Sequence, residues 1–452
     1  MRRSDLFIRK LNLATPPLET YRRLREDFDI SFMLESAIGT ARTVAYSFLG
    51  FGPSATISCR NGRVEGGLGP DHLAEDPVRY LSELVGAMEV SSQRFPFMGG
   101  LVGYFSYEFA RRSEPSSVPA FPEEFPEFEL GLYRELIIYD HSRFQAYHIS
   151  LGENHEILEA LGSMEEPPGS DFHAGELRGS MNRERFEEGV RSVQARVKGG
   201  EVFQTVISRR LSCPYRGDLL NLYSSLRELN PSPYMFYLDF GDRTILGSSP
   251  ETLLTIRGGE ATTYPIAGTC PLGSGAAERK RLREGLLRDE KERAEHTMLV
   301  DLARNDLARV CEGGSIGVPE FMRVEEFSHV QHLVSKVQGT LSPGCSAVEA
   351  LASVFPAGTV SGAPKPRSLE IIGEVEGVSR GPYAGAVGYL GLNGNLDTAI
   401  TIRSAFACDG MLHMQAGSGI VADSVPSKEY EETEQKLGAM RAALARAMEE
   451  TA

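Results

Sequence analysis

Apolar positions recur along the chain in two rhythms. From Arg183 to Lys198, Phe186, Val190, Val193 and Val197 return every three to four residues, the period of a helix with one buried face. Residues 276 to about 310, rich in Arg, Glu, Leu and Ala, and about 427 to 450 predict two further long helices. Elsewhere short β-branched and aromatic runs predict strands, at 43–49, 132–139, 202–211, 384–392, 395–407 and 411–416. The runs at 234–238, 244–246 and 252–256 read as a meander, turning at Asp239-Phe-Gly-Asp242 and Gly247-Ser-Ser-Pro250. Asn393-Gly394-Asn395 is a hairpin signal. Hairpin strands with a few long helices predict an α/β protein of the α+β type, with largely antiparallel sheets and no βαβ repeat.

Length and punctuation refine this. A chain of 452 residues suggests about two to three domains. Residues 113–128 hold four prolines and predict an irregular loop, whereas 163–180, with Pro-Pro and Gly-rich turns, is the best linker. The formal charge of −15 argues against a nucleic-acid partner. No run of about 18 apolar residues predicts a membrane span, and the N-terminus lacks the apolar stretch of a signal peptide. The six cysteines are far apart with no CxxC pair, as for reduced thiols in a cytoplasmic protein.

Three sets of residues could carry chemistry. Glu292 and Glu295, and again Glu429 and Glu432, stand three residues apart on predicted helices, so each pair shares a face. Two such pairs could hold a hard divalent cation such as Mg2+; the same spacing also suits solvated helix faces. The segments at 265–269, 357–364 and 415–420 are small-residue loops whose N–H groups could meet anionic oxygens, or simply turn the chain. None has the spacing of a P-loop or dinucleotide fingerprint. His332 and Arg403 lie in apolar predicted strands, and Lys436 lies one helical turn past Glu432. A buried Arg needs a partner, which makes Arg403 the least easily explained of the three.

Eight blocks follow one another in a known order. They are Glu201-Val-Phe-Gln-Thr-Val-Ile-Ser208, Gly247-Ser-Ser-Pro-Glu251, Pro265-Ile-Ala-Gly-Thr269, residues 289–306, Val330-Gln-His-Leu-Val-Ser335, residues 355–364, Gly385-Ala-Val-Gly388 and Ala416-Gly-Ser-Gly419. With them, residues from about 183 to 444 resemble the chorismate-utilising enzymes. The resemblance implies a fold of two packed, mostly antiparallel sheets with helices outside. It implies a region 1–162 contributing a feedback site and a chorismate-binding region 181–446, joined in one compact body. It further implies that Glu295 and Glu432 ligate Mg2+, with Glu292 and Glu429 holding the metal's waters. Ala416, Gly417 and Gly419 would meet the ring carboxylate, and Gly268 and Thr269 would also bind substrate. Tyr383 and Arg403 would receive the enolpyruvyl carboxylate. Lys436 would stand beside the metal, and His332 and Thr359 near the ring carbon whose hydroxyl leaves, with His332 moving the proton that accompanies pyruvate loss.

Relatives that add water carry a lysine where this chain has Gln204, so the resemblance implies ammonia as nucleophile. Those that aminate the other ring carbon usually have a lysine at the position of Ala267. The implied activity is therefore the anthranilate-forming one: amination of chorismate at C2, then loss of pyruvate. Phe32-Met-Leu-Glu-Ser36 and Asn230-Pro-Ser-Pro-Tyr-Met-Phe236 resemble the paired blocks of a tryptophan feedback site, implying Leu34, Glu35, Ser36, Pro233, Tyr234 and Met235 as its lining. No Gly-x-Cys-x-Gly block surrounds a cysteine, so the resemblance implies a separate glutamine amidotransferase subunit as ammonia source, in a hetero-oligomer. Two other readings stay open: the aminase of 4-aminobenzoate synthesis, and an inactive tryptophan-binding subunit.

Overall fold

The computed structural model describes residues 6–36, 46–68, 76–152, 155–164, 169–326 and 330–450. Its strands form two large antiparallel sheets. The first runs Leu6–Leu11, Gln145–Leu151, Glu135–Asp140, Tyr46–Phe51, Ser31–Glu35, Tyr234–Asp239, Arg243–Ser249, Ser404–Cys408, Met411–Ile420, Gln204–Gly217, Phe172–Ala174. The second runs Ile266–Pro271, Val330–Thr340, Glu260–Thr263, Thr252–Arg257, Leu396–Ile400, Ala386–Gly391, Gly100–Phe105, Phe128–Tyr133, Ala55–Arg60, Arg63–Gly66. Strands from both sides of the 163–180 segment share each sheet. The predicted α+β class with antiparallel sheets is what is found.

The first sheet is apolar on both faces, and its period of two divides the core. Phe48, Ile138, Phe236, Leu238 and Phe406 point into the layer shared with Ile57, Leu101, Leu130 and Leu254 of the second sheet. Their neighbours Leu49, Ile137, Met235, Tyr237 and Ala405 face the other way, under Tyr21, Leu222, Leu226, Leu437 and Met440. Those last residues come from the helices Pro17–Leu24, Leu219–Leu229 and Pro426–Glu450. Among the described residues no helix is long and apolar enough to cross a membrane.

The helix predicted at 183–198 has those bounds, and 113–128 is irregular up to the strand at Phe128. Of the strand predicted at 43–49, residues 43–45 lie outside the described residues, and the strand is Tyr46–Phe51. Four expectations need correction. The 276–310 helix is two, Ala276–Arg288 and Glu290–Ala308. Asp289 divides them because its carboxylate caps the second, accepting from the N–H groups of Lys291 and Glu292. The 132–139 run spans the end of one strand and the start of another, in different sheets, with only Arg134 between. The meander fails at its third member: 234–239 pairs with 243–249, but 252–257 belongs to the second sheet. The 395–407 strand is also two, Leu396–Ile400 in the second sheet and Ser404–Cys408 in the first. Apolar residues flank each crossing, so an apolar run continues where the strand does not.

Two crossings lie side by side. Ile400 donates its N–H to the Glu251 carbonyl at 3.0 Å, and Ser249 Oγ donates to the Ile400 carbonyl at 2.6 Å. Glu251 and Arg403 are the charged residues of these crossings, and Arg403 has a φ of 50°. A third structure-wide tie is Arg380, 1% exposed. Its guanidinium donates to Glu376 at 2.9 and 2.6 Å and to the carbonyls of Val360 and Val206, both at 2.8 Å. Glu376 also accepts from Ser208 N–H and Oγ. Arg380→Met should lower stability by about 3–5 kcal/mol, because it strands a buried carboxylate. Urea-unfolding midpoints check this, and a loss near zero would show the pair to be dispensable.

Candidate active site

A cavity of about 1910 Å³ opens beside the crossings, room for more than one small ligand. Thr269, His332, Arg403, Glu432 and Lys436 line one part of it, and Leu34, Glu35, Ser36, Pro233, Tyr234 and Met235 another.

His332 lies on Val330–Thr340, opposite Thr269 of the edge strand Ile266–Pro271. A bulge between Ala267 and Thr269 breaks that pairing, and Gly268 turns there with a φ of 70°. A Cβ at Gly268 would lie 3.1 Å from the Glu292 carboxylate and 3.1 Å from Leu333, so both conformation and space select glycine. The predicted loop at 265–269 is thus a bulged strand end. His332 Nδ1 is 3.1 Å from the Gly268 carbonyl and 3.0 Å from Thr269 Oγ1. A carbonyl only accepts, so Nδ1 carries the proton and Nε2 is the basic nitrogen of the neutral ring. Burial, with the positive Arg403 and Lys436, holds this histidine's pKa below the usual value, against the carbonyl bond that raises it.

Glu251 shows the opposite shift. Burial pushes its carboxyl up to about 7, against a hydrogen bond from Thr359 and the charges of Lys436 and Arg403. Thr359 Oγ1 donates to Glu251 Oε1 at 2.6 Å from the short turn Gly358–Val360. Burial lowers the Arg403 pKa, and Glu251 raises it. Nothing in the sequence pattern assigned Glu251 a role. The signal available was a carboxylate between two apolar runs, which needs a partner as much as Arg403 does.

The 415–420 segment, expected as a loop, is part of the strand Met411–Ile420. Ser208 pairs with Gly417 and Val206 with Gly419. The strand on its other side ends opposite Met414, so beyond it that edge has no strand partner among the described residues. Lys436 donates to the Gly417 carbonyl at 3.0 Å, and a Cβ on Gly417 would meet the Tyr383 hydroxyl at 2.9 Å. A Cβ on Gly419 would come within 2.4 Å of Gln204 Nε2. Gln204 is buried, and its Oε1 has no hydrogen-bond partner among the described residues. Ala416, Gly417 and Gly419 therefore make a smooth strand edge against Gln204, Tyr383 and Lys436.

The four glutamates come from two helices. Burial and the neighbouring Glu292 raise the Glu295 pKa; Lys291 and Gln204 lower it, and Glu432 raises it. Burial and then Asp289 raise that of Glu292. On the facing helix, Lys436 pairs with Glu432 at 2.7 Å, and Ser418 Oγ donates to Glu429. An all-carboxylate set in which Glu292 and Glu432 raise the Glu295 pKa suits a hard cation that takes oxygen ligands.

In the second part of the cavity, Ser31–Glu35 pairs with Tyr234–Asp239, placing Leu34 opposite Phe236 and Glu35 opposite Met235. The Glu35 carboxylate accepts from Arg227 at 3.0 Å and Tyr223 at 2.9 Å. Tyr234 donates to Asp397 at 2.9 Å, and Arg257 pairs with Asp397 at 2.8 Å. Sequence reasoning missed both Arg227 and this Asp397 pair. Ser36 Oγ is buried and without a partner among the described residues.

Residues 29–442 match the family described as chorismate binding enzyme. The chain is 45% identical to anthranilate synthase component 1 of Methanothermobacter thermautotrophicus, over 93% of its length and 90% of that protein's. It is 42% identical to the Thermus thermophilus protein of the same name, over 94% of each. The solved anthranilate synthase component I from Streptococcus pneumoniae is similar at a TM-score of 0.80 and 35% identity, covering 89% of this chain and 93% of that one. The menaquinone-specific isochorismate synthase of Escherichia coli shares the fold, with a TM-score of 0.74 at 19% identity over 98% of this chain and 95% of that one.

The Glu251 environment has a spectroscopic consequence. Its carboxyl should titrate near pH 7, protonated below and ionised above. Thr359→Val removes a bond that favours the ionised form, so the midpoint should move to higher pH. Infrared difference titration, with Glu251→Gln as the blank, checks both; a midpoint near 4.5 would exclude the assignment.

Proposed function

The chain belongs to the chorismate binding enzyme family, and from that premise we propose that it aminates chorismate at C2 and releases anthranilate and pyruvate. The observation that carries this is a pair of titratable groups shifted in opposite senses: His332 held neutral with its proton on Nδ1, and Glu251 half protonated near neutrality. A reaction needing an acid and then a base at one pH is served by such a pair.

Ammonia's lone pair forms the bond to C2 while the ring hydroxyl departs as water, taking the proton of Glu251; the alkylammonium so formed returns its surplus proton to the Glu251 carboxylate. Thr359, bonded to that carboxyl, orients it. The C2 proton then passes to a base as the C3–O bond breaks and the ring becomes aromatic; the enolate of pyruvate leaves and takes up the proton that the base received. His332, with Nε2 basic, is the base. Gln204 supports ammonia as nucleophile: its orphaned Oε1 can accept an N–H, and it has no amine to activate water. Arg403 and Tyr383 take the enolpyruvyl carboxylate, while Gly268, Thr269 and the 416–419 strand edge take the ring end. Lys436, held between Gly417 and Glu432, keeps positive charge beside the ring carboxylate.

Glu295 and Glu432 would hold Mg2+, with Glu292 and Glu429 binding its waters. When bound, the ion draws charge toward the ring carboxylate and so eases attack at C2. A separate amidotransferase subunit supplies the ammonia. Leu34, Glu35, Ser36, Pro233, Tyr234 and Met235 bind tryptophan as inhibitor. The unpartnered Ser36 hydroxyl supports that assignment. Glu35 contributes through a carboxylate that already holds Arg227 and Tyr223.

The test is product analysis of the purified chain with chorismate, Mg2+ and an ammonium salt. Fluorescent anthranilate with equimolar pyruvate is expected; an aminated product that keeps the enolpyruvyl group, or no turnover, would overturn the reading. Glu295→Gln should lower kcat/KM about a hundredfold or more, and unchanged metal dependence would remove it from the ligand set. Ser36→Arg should abolish tryptophan inhibition at near-normal turnover; an unaltered inhibition curve would move the feedback site elsewhere.

A further inference from the structure

Away from the cavity, the chain gathers a second set of donors. Glu135, His148 and His155 each offer one ligand atom, and these atoms all lie within 4.8 Å of one another. They are the only such group of three among the described residues. Glu135 and His148 come from adjacent strands of the first sheet, Glu135–Asp140 and Gln145–Leu151. His148 stands opposite Ile137, and Glu135, two residues earlier, shares its face. His155 stands immediately before the helix Glu156–Gly162, which covers that face through Ile157. None of the three lines the cavity.

We propose that Glu135, His148 and His155 form a zinc site that fastens this helix to the N-terminal edge of the first sheet. Two imidazoles and a carboxylate are a donor set for Zn2+, whereas Mg2+ prefers oxygen donors in octahedral array. Donor atoms around tetrahedral zinc stand about 3.3 Å apart, which follows from bonds of about 2.0–2.1 Å. His148 Nε2 and Glu135 Oε1 are now 2.6 Å apart, so they need to part by only about 0.7 Å. The Ile157 N–H donates to Glu135 Oε1 at 3.2 Å and orients the carboxylate from outside, as ligating carboxylates require. His155 is exposed and makes no capping bond to its helix. Its ring lies 6.1 Å from that of His148, centroid to centroid. The exposed side leaves water as the fourth ligand. The Glu135–His148 pair is buried at 5% and 1% exposure, so zinc would reach it only through His155.

The full chain, stripped with chelator and held in excess Mg2+ to occupy carboxylate sites, is titrated with Zn2+ against a chromophoric chelator. One equivalent should bind, with a rise in melting temperature. His155→Ala, a surface change, should weaken that binding at least tenfold and erase the rise, with chorismate turnover unchanged. His148→Gln should do the same where it folds. Zinc uptake equal in wild type and His155→Ala would assign the metal to thiols or surface carboxylates and overturn the proposal. No uptake would show that the His148–Glu135 hydrogen bond is complete by itself, with the same consequence.

Discussion

The Arg380–Glu376 pair is the constraint from which the site takes its shape. Burying a guanidinium at 1% exposure is tolerable only if every donor finds an oxygen. The oxygens it finds belong to different parts of the molecule: the end of the helix Lys365–Glu376 through Glu376, the strand 204–217 through Val206, and the 358–360 turn through Val360. Its charge also lies over the Tyr107 and Tyr383 rings, at 4.6 and 5.6 Å. Glu376, gripping Ser208, brings in the strand residue that pairs with Gly417. One ion pair thus sets the relative positions of Thr359, Tyr383, Gln204 and the glycine-rich strand edge, none of which touches it by a hydrogen bond of its own.

Around that frame the charges fall into two classes. Arg380 with Glu376 is a closed pair, the carboxylate accepting from the guanidinium and from Ser208. Glu251, Glu295 and Arg403 are not closed. Each is displaced chiefly by burial from its ordinary pKa toward its neutral form. Evolution of structure alone would have paired or removed such groups. Arg403 lines the large cavity and Glu251 a small pocket that shares Thr252 and Tyr264 with it, so two of these displaced charges border one region.

Long periodic segments were legible in the sequence because a single period governs them. The helix at 183–198 and the antiparallel hairpins depend on local spacing and little else. The crossings were not legible. At Arg134, at Pro250-Glu251 and at 401–403 the chain passes between sheets within one to three residues, so the local pattern shows at most a break or a turn and not a change of sheet. That is why 395–407 read as one strand, and why Arg403 read as a strand residue. The resemblance drew its candidate residues from their blocks, but Glu251 emerged only from its burial and the Thr359 bond. A carboxylate's burial is a tertiary property with no local pattern. Likewise 276–310 reads as one helix because Asp289, a tolerable helix residue, reveals itself as a cap only through its backbone partners.

The two parts of the cavity share one mechanical element. Ser248 donates its N–H to the Arg403 carbonyl at 3.1 Å. The Ser248 hydroxyl donates to the Asn230 carbonyl and reaches Ser232 at 2.8 Å. The 230–235 block and Arg403 are therefore tied to the same residue, on the strand between them. A ligand that moves the 230–235 block loads Ser248, and Ser248 can yield only by releasing the Arg403 carbonyl or by carrying it along. Arg403 is already held at a positive φ, in a conformation that its surroundings must enforce. A small displacement of those surroundings thus acts on a residue with little conformational reserve. Coupling between the two parts of the cavity requires no long relay: Arg403 is positioned by the same backbone that carries the 230–235 block.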